Sequence, residues 1–102
     1  VKHDPDNIKA SSLLLYSLIR KTDCYGNCVS KEVILQLLEA VERTEQLDPA
    51  DTSLCKLRQM ALGAVRFQIT KTGRTDSERK DIMNTIRRNI VFMFTLKFID
   101  LT

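Results

Sequence analysis

The chain has 102 residues, 43% of them hydrophobic and 28% charged, and its formal net charge at pH 7 is +3. This length supports one hydrophobic core rather than two, so we predict a single helical domain over residues 1–102. The composition excludes a disordered tail and a collagen-like fibre, and three glycines and two prolines are too few for the many turns of an all-β sandwich. Since the sequence starts at Val1, we expect the domain to be a fragment of a longer chain.

The first predicted helix extends from about Asp6 to Lys21. Asp4 and Pro5 before it are typical of an N-cap and a first helical position, because proline has no N–H to leave unpaired there. Its apolar face comprises Ile8, Leu15 and Ile19, with Leu14 and Leu18 beside them.

The second predicted helix begins after Ser30, its N-cap, and ends near Glu45. Glu39 and Arg43 form an i,i+4 pair in the favourable order on its polar face. Its apolar stripe comprises Val33, Ile34, Leu37, Leu38 and Val41.

The third predicted helix begins at Asp48 and Pro49 and continues to about Lys71, with Gly73 as a left-handed stop. Its apolar positions are Leu54, Leu57, Ala61, Ala64 and Val65, widened by Met60 and Phe67. A helix that is apolar around most of its circumference is typical of the centre of a bundle. Arg58 falls among these apolar positions, which leaves three alternatives for its side chain. It reaches past them to solvent, pairs with an acid of the second helix, or has a role inside a groove.

The fourth predicted helix starts with a capping box, in which Thr75 is the N-cap and Glu78 follows three residues later. Its inner stripe comprises Ile82, Met83, Ile86, Ile90 and Met93. Nine of the twelve residues over 90–101 are apolar, and a strand over 91–99 is the alternative there. We prefer a helix because the chain has no second strand-like run with which such a strand could pair.

These elements predict an all-α, single-domain bundle of four principal helices that are roughly antiparallel, with the third and fourth at its centre. An arrangement of five or six shorter helices is the alternative.

The residues that carry catalysis or bind metals are sparse. His3 is the only histidine and lies at a terminus, where chains usually fray, so a histidine-dependent triad is disfavoured. Cys24 and Cys28 have a spacing that occurs in zinc sites, but only Cys55 and His3 remain as further ligands. We therefore predict a protein that is not an enzyme and has no metal or other cofactor.

The odd number of cysteines favours reduced thiols, and the sequence has no transmembrane run. Both features favour an intracellular protein, cytoplasmic or nuclear, with no membrane contact.

Excess hydrophobicity favours a binding module. The third helix and the end of the fourth have more apolar surface than their neighbours in so short a bundle can cover, and exposed apolar patches usually mark contact with another chain. The predicted partner is another protein or a second copy of this chain. The candidate interface residues are Leu35, Phe92, Phe94, Phe98 and Leu101.

A basic stretch supports an alternative function, the binding of RNA or DNA. Residues 56–88 hold nine Lys or Arg against three acids, whereas residues 32–51 hold six acids against one Arg. Packed side by side, the third and fourth helices would present a positive surface to phosphates. The candidate residues are Lys56, Arg66, Lys71, Arg74, Lys80, Arg87 and Arg88. The competing interpretation is a solvated surface that balances the acidic segment internally.

Overall fold

The computed structural model describes residues 5–23 and 28–89, which form four α-helices and no strand. The helices are α1 (Pro5–Asp23), α2 (Lys31–Leu47), α3 (Thr52–Thr70) and α4 (Asp76–Arg88). The predicted all-α bundle of four helices is therefore confirmed. The predicted continuation of the fourth helix through residues 90–101 lies outside the described residues, as do His3 and Cys24.

The predicted start of α4 is confirmed in atomic detail. The Glu78 backbone N–H donates to the Thr75 hydroxyl over 3.1 Å, and the Thr75 backbone N–H donates to Glu78 Oε1 over 3.2 Å. This reciprocal capping box pairs two N–H groups that a helix start otherwise leaves without partners. Gly73, which precedes the box, has φ +101° and provides the predicted left-handed stop after α3.

The boundary between α2 and α3 differs from the prediction. α2 continues to Leu47, and Asp48 lies in the turn rather than at the start of α3. Asp48 Oδ1 accepts the N–H groups of Ala50 and Asp51, which closes that turn. The N-cap of α3 is Asp51, whose carboxylate accepts the Leu54 N–H over 2.9 Å. Two aspartates compete for the capping role here, and the second one holds it.

The core lies where α1, α2 and α3 pack against one another, and α4 makes fewer contacts, chiefly with α3. The prediction of a central position is therefore wrong for the described part of the fourth helix, whereas the third helix packs against α1, α2 and α4. The buried hydrophobic core comprises Leu15, Leu18, Ile19, Ile34, Leu37, Leu38, Ala40, Val41, Ala61, Leu62, Val65, Ile69, Ile82 and Ile86. α4 contributes only the last two of these, because its described part is polar apart from a narrow apolar stripe.

The helices alternate in direction. Gln68, at the end of α3, bonds to Thr22, at the end of α1, so these two helices run the same way. Gln68 also bonds to Val29, just before α2, and Arg79 in the first turns of α4 bonds to Ile69. Two helix ends and two helix starts thus meet at one end of the bundle, and sequence neighbours are roughly antiparallel.

Candidate docking groove between α1 and α3

A buried glutamine places α1 and α3 side by side. The Gln68 side-chain amide donates from Nε2 to the Thr22 carbonyl over 2.7 Å and accepts the Val29 N–H at Oε1 over 3.1 Å. Both backbone groups lie at helix termini, where no intrahelical partner is available to them. Gln68 is 1% exposed, so these bonds form away from water and fix the distance between the helix ends.

Arg74 completes this buried polar cluster. Its Nε donates to the Gln68 carbonyl over 2.8 Å, and its Nη2 donates to the Val29 carbonyl over 2.9 Å. Nη1 lies 3.7 Å from the Glu78 carboxylate. The guanidinium is therefore engaged inside the bundle, and Arg74, at 6% exposure, has little surface with which to bind phosphate.

Arg58 secures the opposite end. Its side chain is 3% exposed; Nε lies 3.3 Å from the Glu45 carboxylate, and Nη2 donates to the Pro49 carbonyl over 3.1 Å. Of the three alternatives for Arg58, pairing with an acid of the second helix is confirmed. The ion pair ties α3 to the end of α2 and to the turn between them.

Between these two anchors, α1 and α3 leave an open groove. It has a volume of about 360 Å³ and is lined by Ile19, Thr22, Met60, Ala64 and Phe67. Phe67 is 58% exposed and Met60 is 52% exposed, so one side of α3 presents large apolar side chains to solvent. The α1–α3 groove denotes these five residues and, as an extension along α1, Tyr16, which does not line the depression itself but lies three residues before Ile19 and is 47% exposed.

Cations lie over both aromatic rings of this groove. The Lys71 ammonium is 4.6 Å from the centroid of the Phe67 ring, and the Arg20 guanidinium is 5.9 Å from that of Tyr16. Such contacts attract a cation to the negative face of the ring. The apolar surface is thus bordered by positive charge on both helices.

Two other depressions in the described residues are less suited to docking. One lies between α1 and α2, is smaller at about 160 Å³, and is bordered by the predicted ion pair of Glu39 and Arg43, whose atoms are 3.6 Å apart. The other lies between α2 and α4, where Lys31 and Asp81 are paired over 2.9 Å. In both, the charged groups already satisfy one another.

Five of the seven predicted basic residues are exposed, and two are not. Lys71 is half-buried against Phe67 and Arg74 is internal, while the remaining five are exposed on α3 and α4. Those five are Lys56, Arg66, Lys80, Arg87 and Arg88.

The predicted apolar interface is only partly within the described residues. Leu35 is half-buried and packs against the core, so it belongs to the fold as much as to the surface. Phe92, Phe94, Phe98 and Leu101 lie outside the described residues, and their role stays a prediction.

Sequence reasoning placed Met60 and Phe67 on the apolar stripe of the third helix and expected more apolar surface there than the neighbouring helices can cover. It named neither as an interface residue, and Tyr16 carried no prediction. The signal that identifies them is the width of the apolar surface on α3, because a helix packed on one side by two neighbours cannot bury its whole circumference.

The remaining chemistry is limited. Cys28 and Cys55 are exposed free thiols. Within residues 5–23 and 28–89, no three His, Cys, Asp or Glu side chains are arranged to hold a metal ion. None of the four described helices combines the length and the hydropathy that crossing a membrane requires.

Comparison of the chain with protein-family models, with curated proteins and with solved structures finds no match.

Proposed function

We propose that this chain is a non-catalytic helical module that binds another protein through the α1–α3 groove. The observation that carries the proposal is the exposure of Met60 and Phe67, both more than half exposed, beside an open apolar channel. Exposed apolar surface of this kind is costly in water and usually marks a contact with another chain.

The described polar groups support binding rather than catalysis. Every buried side-chain N or O atom of the described residues has a hydrogen-bond partner. The buried Gln68 and Arg74 bond to helix ends and to each other, which is a structural arrangement. A rigid scaffold with an apolar groove on one side is typical of a docking domain.

Selection of binders from an unbiased library of displayed helical peptides tests this function. The full chain serves as bait, and each selected peptide is measured against the double variant Met60→Gln/Phe67→Gln. We expect the variant to lose most of the binding, since each buried apolar side chain contributes roughly 1.5–3 kcal/mol. Leu13→Gln is the matched control, because Leu13 is an equally exposed apolar residue, at 61%, that does not line the groove.

The proposal fails if the selected peptides bind the double variant as well as they bind the wild type. Self-association is measured separately by light scattering. A stable dimer that Met60→Gln/Phe67→Gln dissociates would show that the groove binds a second copy instead.

Nucleic-acid binding stays a prediction, with a direct test. Several phosphate contacts require a steep loss of affinity as salt rises. A salt series with a labelled RNA or DNA duplex measures that slope, and no binding at low salt would exclude this function.

A further inference from the structure

We infer that the element bound in the α1–α3 groove is an amphipathic helix with carboxylates on both sides of its apolar stripe. The inference rests on the proposed docking function and specifies the chemistry of the docked segment.

The shape of the α3 wall matches a helix. Met60, Ala64 and Phe67 are at positions i, i+4 and i+7, so they form a track about 10 Å long, or two helical turns. Ala64 is the small residue between two large ones and leaves a notch for one apolar side chain. A partner helix reaches such a groove with anchors at the same spacing.

Four cations border this track, two on each side. Lys56 lies four residues before Met60 on the same side of α3, and Lys71, which directly follows α3, lies over the Phe67 ring. On α1, Lys9 and Arg20 lie seven residues before and four residues after Tyr16. α3 itself contains no acidic residue. The groove is therefore cationic at both ends.

No described carboxylate pairs with any of these four cations. Five other cations each lie within 4.0 Å of a carboxylate, namely Lys31, Arg43, Arg58, Arg74 and Arg79. Positive charge that the described carboxylates do not pair with, around an apolar groove, is complementary to an acidic partner. Such complementarity selects the partner more than it adds affinity.

Other occupants fit this surface less well. A second copy docked groove to groove would bring like charges together, which disfavours the contact. A flat bilayer surface does not fill a groove between two helices, whereas a single helix does. Both occupants are included as arms of the experiment.

The test uses two fluorescein-labelled synthetic peptides of about 20 residues, a length that supports a helix. Both have Leu at i, i+4 and i+7; one has Glu at the flanking positions and the other has Lys at the same positions. Fluorescence anisotropy against the full chain gives each Kd. We expect the acidic peptide to bind about tenfold more tightly, which is the combined effect of a few rim charge pairs of up to about 1 kcal/mol each.

Two variants locate the binding and identify its chemistry. Phe67→Gln should weaken the acidic peptide at least about tenfold, by removing one buried aromatic contact. Arg20→Glu/Lys71→Glu should invert the preference, so that the basic peptide binds more tightly than the acidic one. Lys80→Glu, an exposed charge change on α4, is the matched control and should retain the wild-type preference. Circular dichroism establishes that each variant is folded.

The outcomes separate the inference from the proposed function. Equal affinity for the two peptides, with both weakened by Phe67→Gln, overturns the acidic partner and leaves the groove as a docking site. Peptide binding that Phe67→Gln does not change contradicts the proposed function itself. A third outcome is that neither peptide binds, and that the chain binds vesicles of phosphatidylcholine and phosphatidylglycerol unless Phe67→Gln is present. This outcome would show that the partner is an anionic membrane surface and not a helix.

Discussion

Arg58 is a charged side chain buried among apolar residues, and its surroundings explain how the core tolerates it. The guanidinium has five donors; in this bundle it donates to the carbonyls of Asp48 and Pro49 and forms an ion pair with Glu45. Both carbonyls belong to the α2–α3 turn, where no helix supplies them with a partner. One residue thus satisfies acceptors from two segments that are otherwise joined only by a short turn.

Replacing Arg58 with alanine should lower the free energy of unfolding by about 2–4 kcal/mol, because it removes the cation paired with the half-buried Glu45 carboxylate and the donor to two carbonyls. Urea denaturation measures the loss. Lys56→Ala, two residues earlier on the exposed side of α3, should change stability by less than about 0.5 kcal/mol. Equal small effects for both variants would show that the Arg58 contacts do not stabilise the fold.

Gln68 is a neutral side chain that, like Arg58, is buried and bonds to backbone groups of other segments. Gln68→Leu preserves the approximate volume but leaves the Thr22 carbonyl and the Val29 N–H buried without a partner. We expect a loss of about 2–4 kcal/mol, measured by chemical denaturation. The same substitution at the exposed Gln59 should be nearly neutral. A stable Gln68→Leu variant would mean that water reaches these two groups.

Within α4, the capping box couples helix stability to pH. The Thr75 backbone N–H and then its hydroxyl donate to the Glu78 carboxylate and hold the pKa of Glu78 below its usual range; Arg74 and Arg79 act in the same direction. A carboxyl whose pKa is lowered by folding stabilises the native state above its unfolded-state pKa. That stabilisation is lost as the pH falls through the folded-state pKa.

We therefore expect Glu78→Gln to flatten the decline in stability between about pH 5 and pH 3. Urea denaturation at several pH values measures this slope. Glu32→Gln is the control, since Glu32 lies in the first turn of α2, where Ser30 forms no side-chain cap bond. It should retain the wild-type slope. Identical slopes for Glu78→Gln and the wild type would show that the capping carboxylate has the same pKa in the folded and unfolded chain.

For the molecule as a whole, the packing of α1, α2 and α3 implies that stability depends on their shared core. Leu37 is fully buried there, so Leu37→Ala should cost about 2–5 kcal/mol through lost burial and the cavity left behind. Leu13→Ala, at a position 61% exposed, should cost less than about 1 kcal/mol. Thermal and urea unfolding measure both. Comparable losses would place Leu13 in a contact outside the described core.

The amino-acid sequence was sufficient for the local features. Helical periodicity identified four helices, and the Thr75–Glu78 spacing identified the capping box, because these depend on interactions between residues three or four positions apart. The sequence was insufficient at the α2–α3 turn, where Asp48 and Asp51 are both good caps. In the structure Asp48 closes the turn and Asp51 caps α3.

The arrangement in space depends on contacts between distant residues. Gln68 bonds to Thr22 across 46 positions, and Arg74 bonds to Val29 across 45, and no periodicity encodes such pairings. These contacts make α1 and α3 neighbours, leave α4 at the side, and leave Met60 and Phe67 exposed. An apolar residue is equally apolar in a core or on a docking surface. Its role is therefore settled only by how many neighbours the folded chain can place around it.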